Sequence, residues 1–160
     1  IYNRGIGGFV TQELLDNIDV CILDLEPRRL FINIGTNDLS DPAISIEDMI
    51  ANYDKILTIV QDKLPDIDIY MMAYYPINYD AATEEMKPCL LIRTNDKIAQ
   101  ANEAVRTLAK AHHAHYIDIN APLKDEQGNL KAEYTIEGMH IKEQGYRVIF
   151  DSFIKYALED

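Results

Sequence analysis

Apolar residues recur along this chain in two alternating periods, one suited to strands and one to helices. Phe31, Ile32 and Ile34 form a short apolar run closed by Gly35 and by Asn37-Asp38, which predicts a buried strand ending in a sharp turn. Ahead of it, Leu14, Leu15, Ile18, Cys21, Ile22 and Leu25 fall at helical spacing before Pro27, with Thr11 suited to cap that helix. Ser45-Ile46-Glu47-Asp48 has the form of a capping box. Behind it Ile46, Met49, Ile50, Tyr53, Ile56, Leu57, Val60 and Leu64 make one stripe that ends at Pro65, the clearest helix in the chain. Residues 66–75 alternate, with Ile67, Ile69, Met71 and Ala73 on one face, and predict a strand stopping at Pro76. Residues 78–93 are polar and hold Pro88, which predicts a long loop. Thr94 caps a second amphipathic helix carrying Ile98, Ala101, Val105, Leu108 and Ala109. Residues 115–119 read as a strand and Gln127-Gly128-Asn129 as a turn. The last helix starts near Lys142, with Tyr146, Ile149, Phe150, Phe153, Ile154 and Ala157 expected inward. At the start, Ile1-Tyr2 is compatible with the end of a strand.

Strand and helix therefore alternate. That order predicts an α/β fold of three layers, a central and mostly parallel sheet with helices on both faces. The 160 residues are enough for one domain with a sizeable core. In such a sheet the loops after the strands gather on one edge, where ligand sites are built. The net charge of −12 changes the range of partners. An acidic surface repels phosphate backbones and anionic lipid, which argues against nucleic acid as a partner. No apolar run reaches the roughly 20 residues needed to cross a bilayer. Cys21 and Cys89 do not make a disulfide scaffold, and Cys21 falls in an apolar helical pattern as a buried thiol. A reducing, cytoplasmic setting is the resulting expectation.

Three stretches could carry chemistry. In Gly35-Thr36-Asn37-Asp38, the Asn37 amide would stand just past a strand's C-terminal end. It is a neutral double donor, able to stabilise a developing oxyanion. As plain turn formers, Asn37 and Asp38 would instead bond their own backbone. Glu137-Gly138-Met139-His140 sets a carboxylate three residues before an imidazole. Glu137 could accept the Nδ1 proton and leave Nε2 as a general base, or the segment could be a simple surface turn. Gly5-Ile6-Gly7-Gly8 is a flexible loop whose backbone can approach a ligand, but it does not meet the G-x-G-x-x-G pattern of dinucleotide sites. His112, His113 and His115 lack a carboxylate or thiol at ligand spacing and fit a helix end better than a metal site. No cofactor or metal is expected. Tyr74, Tyr75 and Tyr79 flank the Pro76 loop, where packing and substrate contact are both open readings.

Taken together, N-R-G-I-G-G at residues 3–8, G-T-N-D at 35–38 and E-G-M-H-I at 137–141 resemble, in order and context, the blocks of the SGNH hydrolases, also called GDSL-type esterases and lipases. Gly145-Tyr146 also resembles that family's lead into its last helix. The resemblance implies a flavodoxin-like three-layer fold. It implies Gly8 N–H and the Asn37 side chain as oxyanion donors, His140 as base and Glu137 as the acid that orients it. Three departures accompany it. The family's acid is usually Asp, and Phe9-Val10 stand where Asp-Thr is common. The Ser-bearing G-D-S block is absent. Of Ser40, Ser45 and Ser152, only Ser40 lies near the expected edge, and it lacks a strand-to-helix elbow. The expectation is an N-terminally incomplete domain that cleaves small-molecule, carbohydrate or lipid esters with a nucleophilic Ser from outside this segment. A non-catalytic binding domain on the same fold is the competing expectation. Nothing in the sequence selects one ester or one oligomeric state.

Overall fold

The strands of this protein are apolar on both faces, and the structure buries both. The computed structural model describes residues 1–158. Strands β1 (Arg29–Ile32), β2 (Asp68–Met72) and β3 (His115–Ile117) form a parallel sheet in the order β1-β2-β3. Ile32 stands opposite Met71, and Tyr70 opposite His115. On one face Leu30, Ile32, Ile69 and Met71 join the main core with helices α3 (Ile46–Lys63) and α5 (Asn95–Ala111). On the other, Phe31 stacks on Tyr70 at 4.7 Å and meets Phe153 of helix α6 (Glu143–Leu158) at 5.0 Å. The architecture is thus α/β with a parallel sheet and helices on both sides, as the alternation of periods predicts.

Helix α3 forms where its sequence signals coincide. The Ser45 hydroxyl accepts the Asp48 N–H at 3.0 Å, and Met49, Tyr53, Ile56, Leu57 and Val60 are buried in one stripe. Thr94 caps α5 in the same way, accepting the Lys97 N–H at 3.1 Å. Cys21 is a buried free thiol.

Elsewhere the structure departs from the periodic reading. The helix expected up to Pro27 is broken into α1 (Thr11–Asp16), α2 (Ile18–Cys21) and a 3-10 turn at Leu23–Leu25. At the first break the Asn17 side chain donates to the Glu13 carbonyl at 2.9 Å and competes with the helix for its backbone. Thr11 is not the cap. Val10 holds that position, and the Thr11 hydroxyl and N–H both donate to the buried Asp38 carboxylate. The expected loop over 78–93 contains helix α4 (Lys87–Ile92), because Pro88 falls in its first turn, where a missing N–H costs nothing. In α6, Ile149 is buried, but Tyr146 and Phe150 are about half exposed, so the inward stripe is narrower than expected. Residues 1–4 are exposed and outside any strand.

One glycine fixes where the loop after β1 can run. Gly35 has a φ of 112°, and a Cβ there would collide with the Tyr74 hydroxyl and the Met49 thioether. Tyr74 is itself buried and donates to the Ile34 carbonyl at 2.6 Å. Gly35→Ala is therefore expected to destabilise the fold by about 2–4 kcal/mol, from left-handed strain plus overpacking. Urea denaturation measures this, and an unchanged midpoint would contradict the packing described.

Candidate active site

The loop after β1 turns at Gly35 and enters a short 3-10 turn at Asp38–Ser40. This leaves the half-buried Asn37 at the C-terminal edge of the sheet. One hydrogen of its amide goes to the Phe9 carbonyl at 2.9 Å. The other has no acceptor among the described residues. Beside it Asp38 is 2 % exposed and takes both donors of Thr11, tying α1 to this loop. Asp38 is thus a structural carboxylate, and Asn37 is the group turned to the edge. The Phe9 contact also brings in the glycine loop. Gly8, exposed and at a φ of 86°, precedes Phe9, and its N–H donates to no protein atom among the described residues. Two open donors therefore stand on adjoining loops.

The third loop carries the acid and the imidazole. His140 Nδ1 lies 2.8 Å from Glu137 Oε1, and the same oxygen accepts the His140 backbone N–H at 2.6 Å. An imidazole nitrogen facing a carboxylate carries the proton, so Nε2 is left as the basic atom. Nε2 has no partner among the described residues. The Glu137 side chain is 16 % exposed and that of His140 is 75 % exposed. The carboxylate is thus sheltered and the imidazole is presented to solvent. Gly138 makes the turn possible. Its φ is 93°, a Cβ would strike the Asn78 carbonyl, and its own carbonyl accepts the Asn78 N–H at 2.7 Å.

A residue that the sequence did not single out joins these loops. Arg93 ends α4 and is only 4 % exposed. Its Nε donates to Ser40 Oγ at 2.7 Å, one terminal nitrogen lies 2.9 Å from Met139 Sδ, and the other lies 3.4 Å from Asn37 Oδ1. One guanidinium thus touches the Asn37 loop and the residue before His140. Burial pushes its pKa below the usual arginine range. The only advance signal was its position four residues after Cys89, at the end of an apolar Cys-Leu-Leu-Ile run.

The remaining candidates are engaged elsewhere. Ser40 Oγ is held by Arg93 and by Cys89 Sγ at 3.3 Å, and Ser45 caps α3. His112 bonds Gln61 and Asp54, while His115 stacks on Tyr70. Tyr74 is core, and Tyr79 is 38 % exposed.

A model of the GDSL-like Lipase/Acylhydrolase family matches residues 1–148. The chain belongs to this family. Solved structures of the GDSL type superpose on it. A Streptococcus pneumonia protein, provisionally designated a platelet activating factor, shares 32 % identity at a TM-score of 0.87, covering 98 % of this chain and 72 % of that one. A GDSL-like lipase from Bacteroides thetaiotaomicron VPI-5482 gives 0.78 at 22 % identity, covering 97 % and 75 %. An acetylxylan esterase from Geobacillus stearothermophilus gives 0.75 at 15 % identity, covering 99 % and 72 %. These last two establish the fold alone. The chain is also 27 % identical over 150 residues to an N-acylneuraminate cytidylyltransferase of Escherichia coli O18:K1:H7 (strain RS218 / NMEC). That match takes in 93 % of this chain but only 33 % of the relative, so the chain spans about a third of that protein's length. Membership of the GDSL-like acylhydrolases supports ester hydrolysis in general. Among the described residues, no helix is long and apolar enough to cross a membrane.

Proposed function

We propose that this chain supplies the base, its orienting acid and two oxyanion donors of a serine esterase. The observation that carries the reading is the His140 Nδ1 to Glu137 Oε1 contact at 2.8 Å, with Nε2 left open. A serine hydroxyl from outside these 160 residues attacks the ester carbonyl, and His140 Nε2 takes its proton. Glu137 keeps the imidazole in the useful tautomer and stabilises the imidazolium. The tetrahedral oxyanion accepts hydrogen bonds from Gly8 N–H and from the free amide hydrogen of Asn37. The intermediate collapses as His140 hands its proton to the departing alkoxide. Water then repeats the sequence on the acyl-serine and releases the acid. No cofactor enters these steps.

The outside serine is supported by the three serines within the chain. Ser40 is bonded to Arg93 and Cys89, Ser45 caps α3, and Ser152 lies within α6 and makes no hydrogen bond to the His140 ring among the described residues. The substrate is an ester of a small molecule, a carbohydrate or a lipid. A serine-directed fluorophosphonate applied to the native full-length protein tests the reading. The expected result is one labelled serine, mapped by peptide mass spectrometry outside residues 1–160 and lost on prior denaturation. No labelling would favour a non-catalytic binder, and labelling of Ser40 would defeat the proposed arrangement.

A further inference from the structure

Arg93 is an unusual group to bury. The residue is 4 % exposed, and no carboxylate of the described residues lies within ion-pair distance of its guanidinium. Taking a cation out of water without an anion works against the fold. The groups around it are a hydroxyl, a thioether and the Asn37 carbonyl oxygen, all neutral acceptors. The guanidinium is a rigid fork that holds three partners at set angles. It is therefore fixed against the carbonyl end of an amide that keeps one N–H unused among the described residues.

We infer that Arg93 is a positioning residue for ester hydrolysis: by donating to Asn37 Oδ1 it fixes the amide's orientation and makes its free N–H a stronger donor to the oxyanion. This rests on the function proposed above. The contact to Oδ1 settles which end of the amide faces the edge of the sheet, because a flipped amide would turn its NH2 toward a cation. The Phe9 carbonyl reinforces that choice from the other side. Drawing electron density toward Oδ1 makes the Nδ2 hydrogens more acidic, as linked hydrogen bonds polarise one another in a low-dielectric site. The positive charge also favours negative charge developing on the substrate oxygen that Asn37 would bind. The 3.4 Å separation is the longest of the three contacts. Catalytic hydrogen bonds of unliganded sites commonly shorten when the transition state forms.

A double-mutant cycle in the full-length protein tests this. The cycle uses Arg93→Met, Asn37→Ala and the pair, with p-nitrophenyl acetate as substrate. Arg93→Met is expected to lower kcat on the order of 10-fold, the effect of losing a hydrogen bond to a charged group, with KM little changed. In the Asn37→Ala background the same change is expected to cost less than about twofold, since its target is gone. Arg93→Lys keeps the charge without the fork and should recover part of the loss. It carries the cycle if Arg93→Met does not fold. Equal losses from Arg93→Met in both backgrounds would overturn the inference while leaving the esterase reading intact, as would a KM effect with kcat unchanged. Near-normal turnover by Asn37→Ala alone, or a full-length protein that hydrolyses no ester, would overturn both.

Discussion

Replacing His140 with alanine in the full-length protein is expected to lower kcat for ester hydrolysis by at least about 10³-fold, at the upper end of what a general base contributes. The size follows from what would remain. A serine hydroxyl needs a partner to take its proton, and Nε2 is the open basic atom of the edge described here. Glu137 cannot substitute, because its carboxylate is sheltered and directed at the imidazole and at the His140 backbone N–H. Substrate binding should survive, so KM should move little while kcat falls. Stability should also survive. The His140 side chain is 75 % exposed, and such surface changes usually stay within about 0.5 kcal/mol. Initial rates with p-nitrophenyl acetate, beside a thermal melt, check both points. A stable variant with near-normal turnover would remove the imidazole from the mechanism.

Asn37→Ala is expected to cost about 10²- to 10³-fold in kcat, the usual effect of losing one oxyanion donor. An oxyanion donor contributes in the transition state and much less in the ground state, because the carbonyl oxygen acquires its charge only as the tetrahedral centre forms. The loss should therefore again fall on kcat more than on KM. The Phe9 carbonyl would also lose its partner. That contact holds the Gly8 loop beside the site, so part of the loss would come from misplacing the second donor. Substrates with better leaving groups should narrow the deficit in kcat, since they need less stabilisation of the intermediate. Uniform tightening or weakening of KM with kcat unchanged would instead make Asn37 a substrate-binding residue.

The parts of this molecule that were legible in its sequence are those whose cause is local. Helix α3 combines a Ser45 cap, one apolar stripe and a terminating proline within 20 or so residues, all acting together. The Glu137–His140 contact spans a single turn, so the spacing alone limited where the carboxylate could go. The illegible parts depend on contacts between distant segments. Thr11 looked like a cap because nothing nearby says that Asp38, 27 residues on, will claim its donors. Pro88 looked like a breaker, although the same ring is harmless one turn into a helix start. Tyr146 and Phe150 fall on the helical period of α6 yet stay exposed, since periodicity marks which residues share a face and not how wide a face is covered. Arg93 was the hardest. A cationic residue in a polar stretch reads as solvated, and only the meeting of three loops buries it.

The Glu137–His140 pair and the Asn37 and Gly8 donors are expected to act on one carbonyl carbon and its oxygen. The most direct measurement is a crystal structure of the full-length protein after reaction with a phosphonate, whose tetrahedral phosphorus and P–O oxygen imitate the ester intermediate. That oxygen is expected within hydrogen-bond distance of both Asn37 Nδ2 and Gly8 N, with His140 Nε2 facing the serine oxygen bonded to phosphorus. An adduct whose oxygen points into solvent, or one formed away from Asn37 and His140, would contradict it.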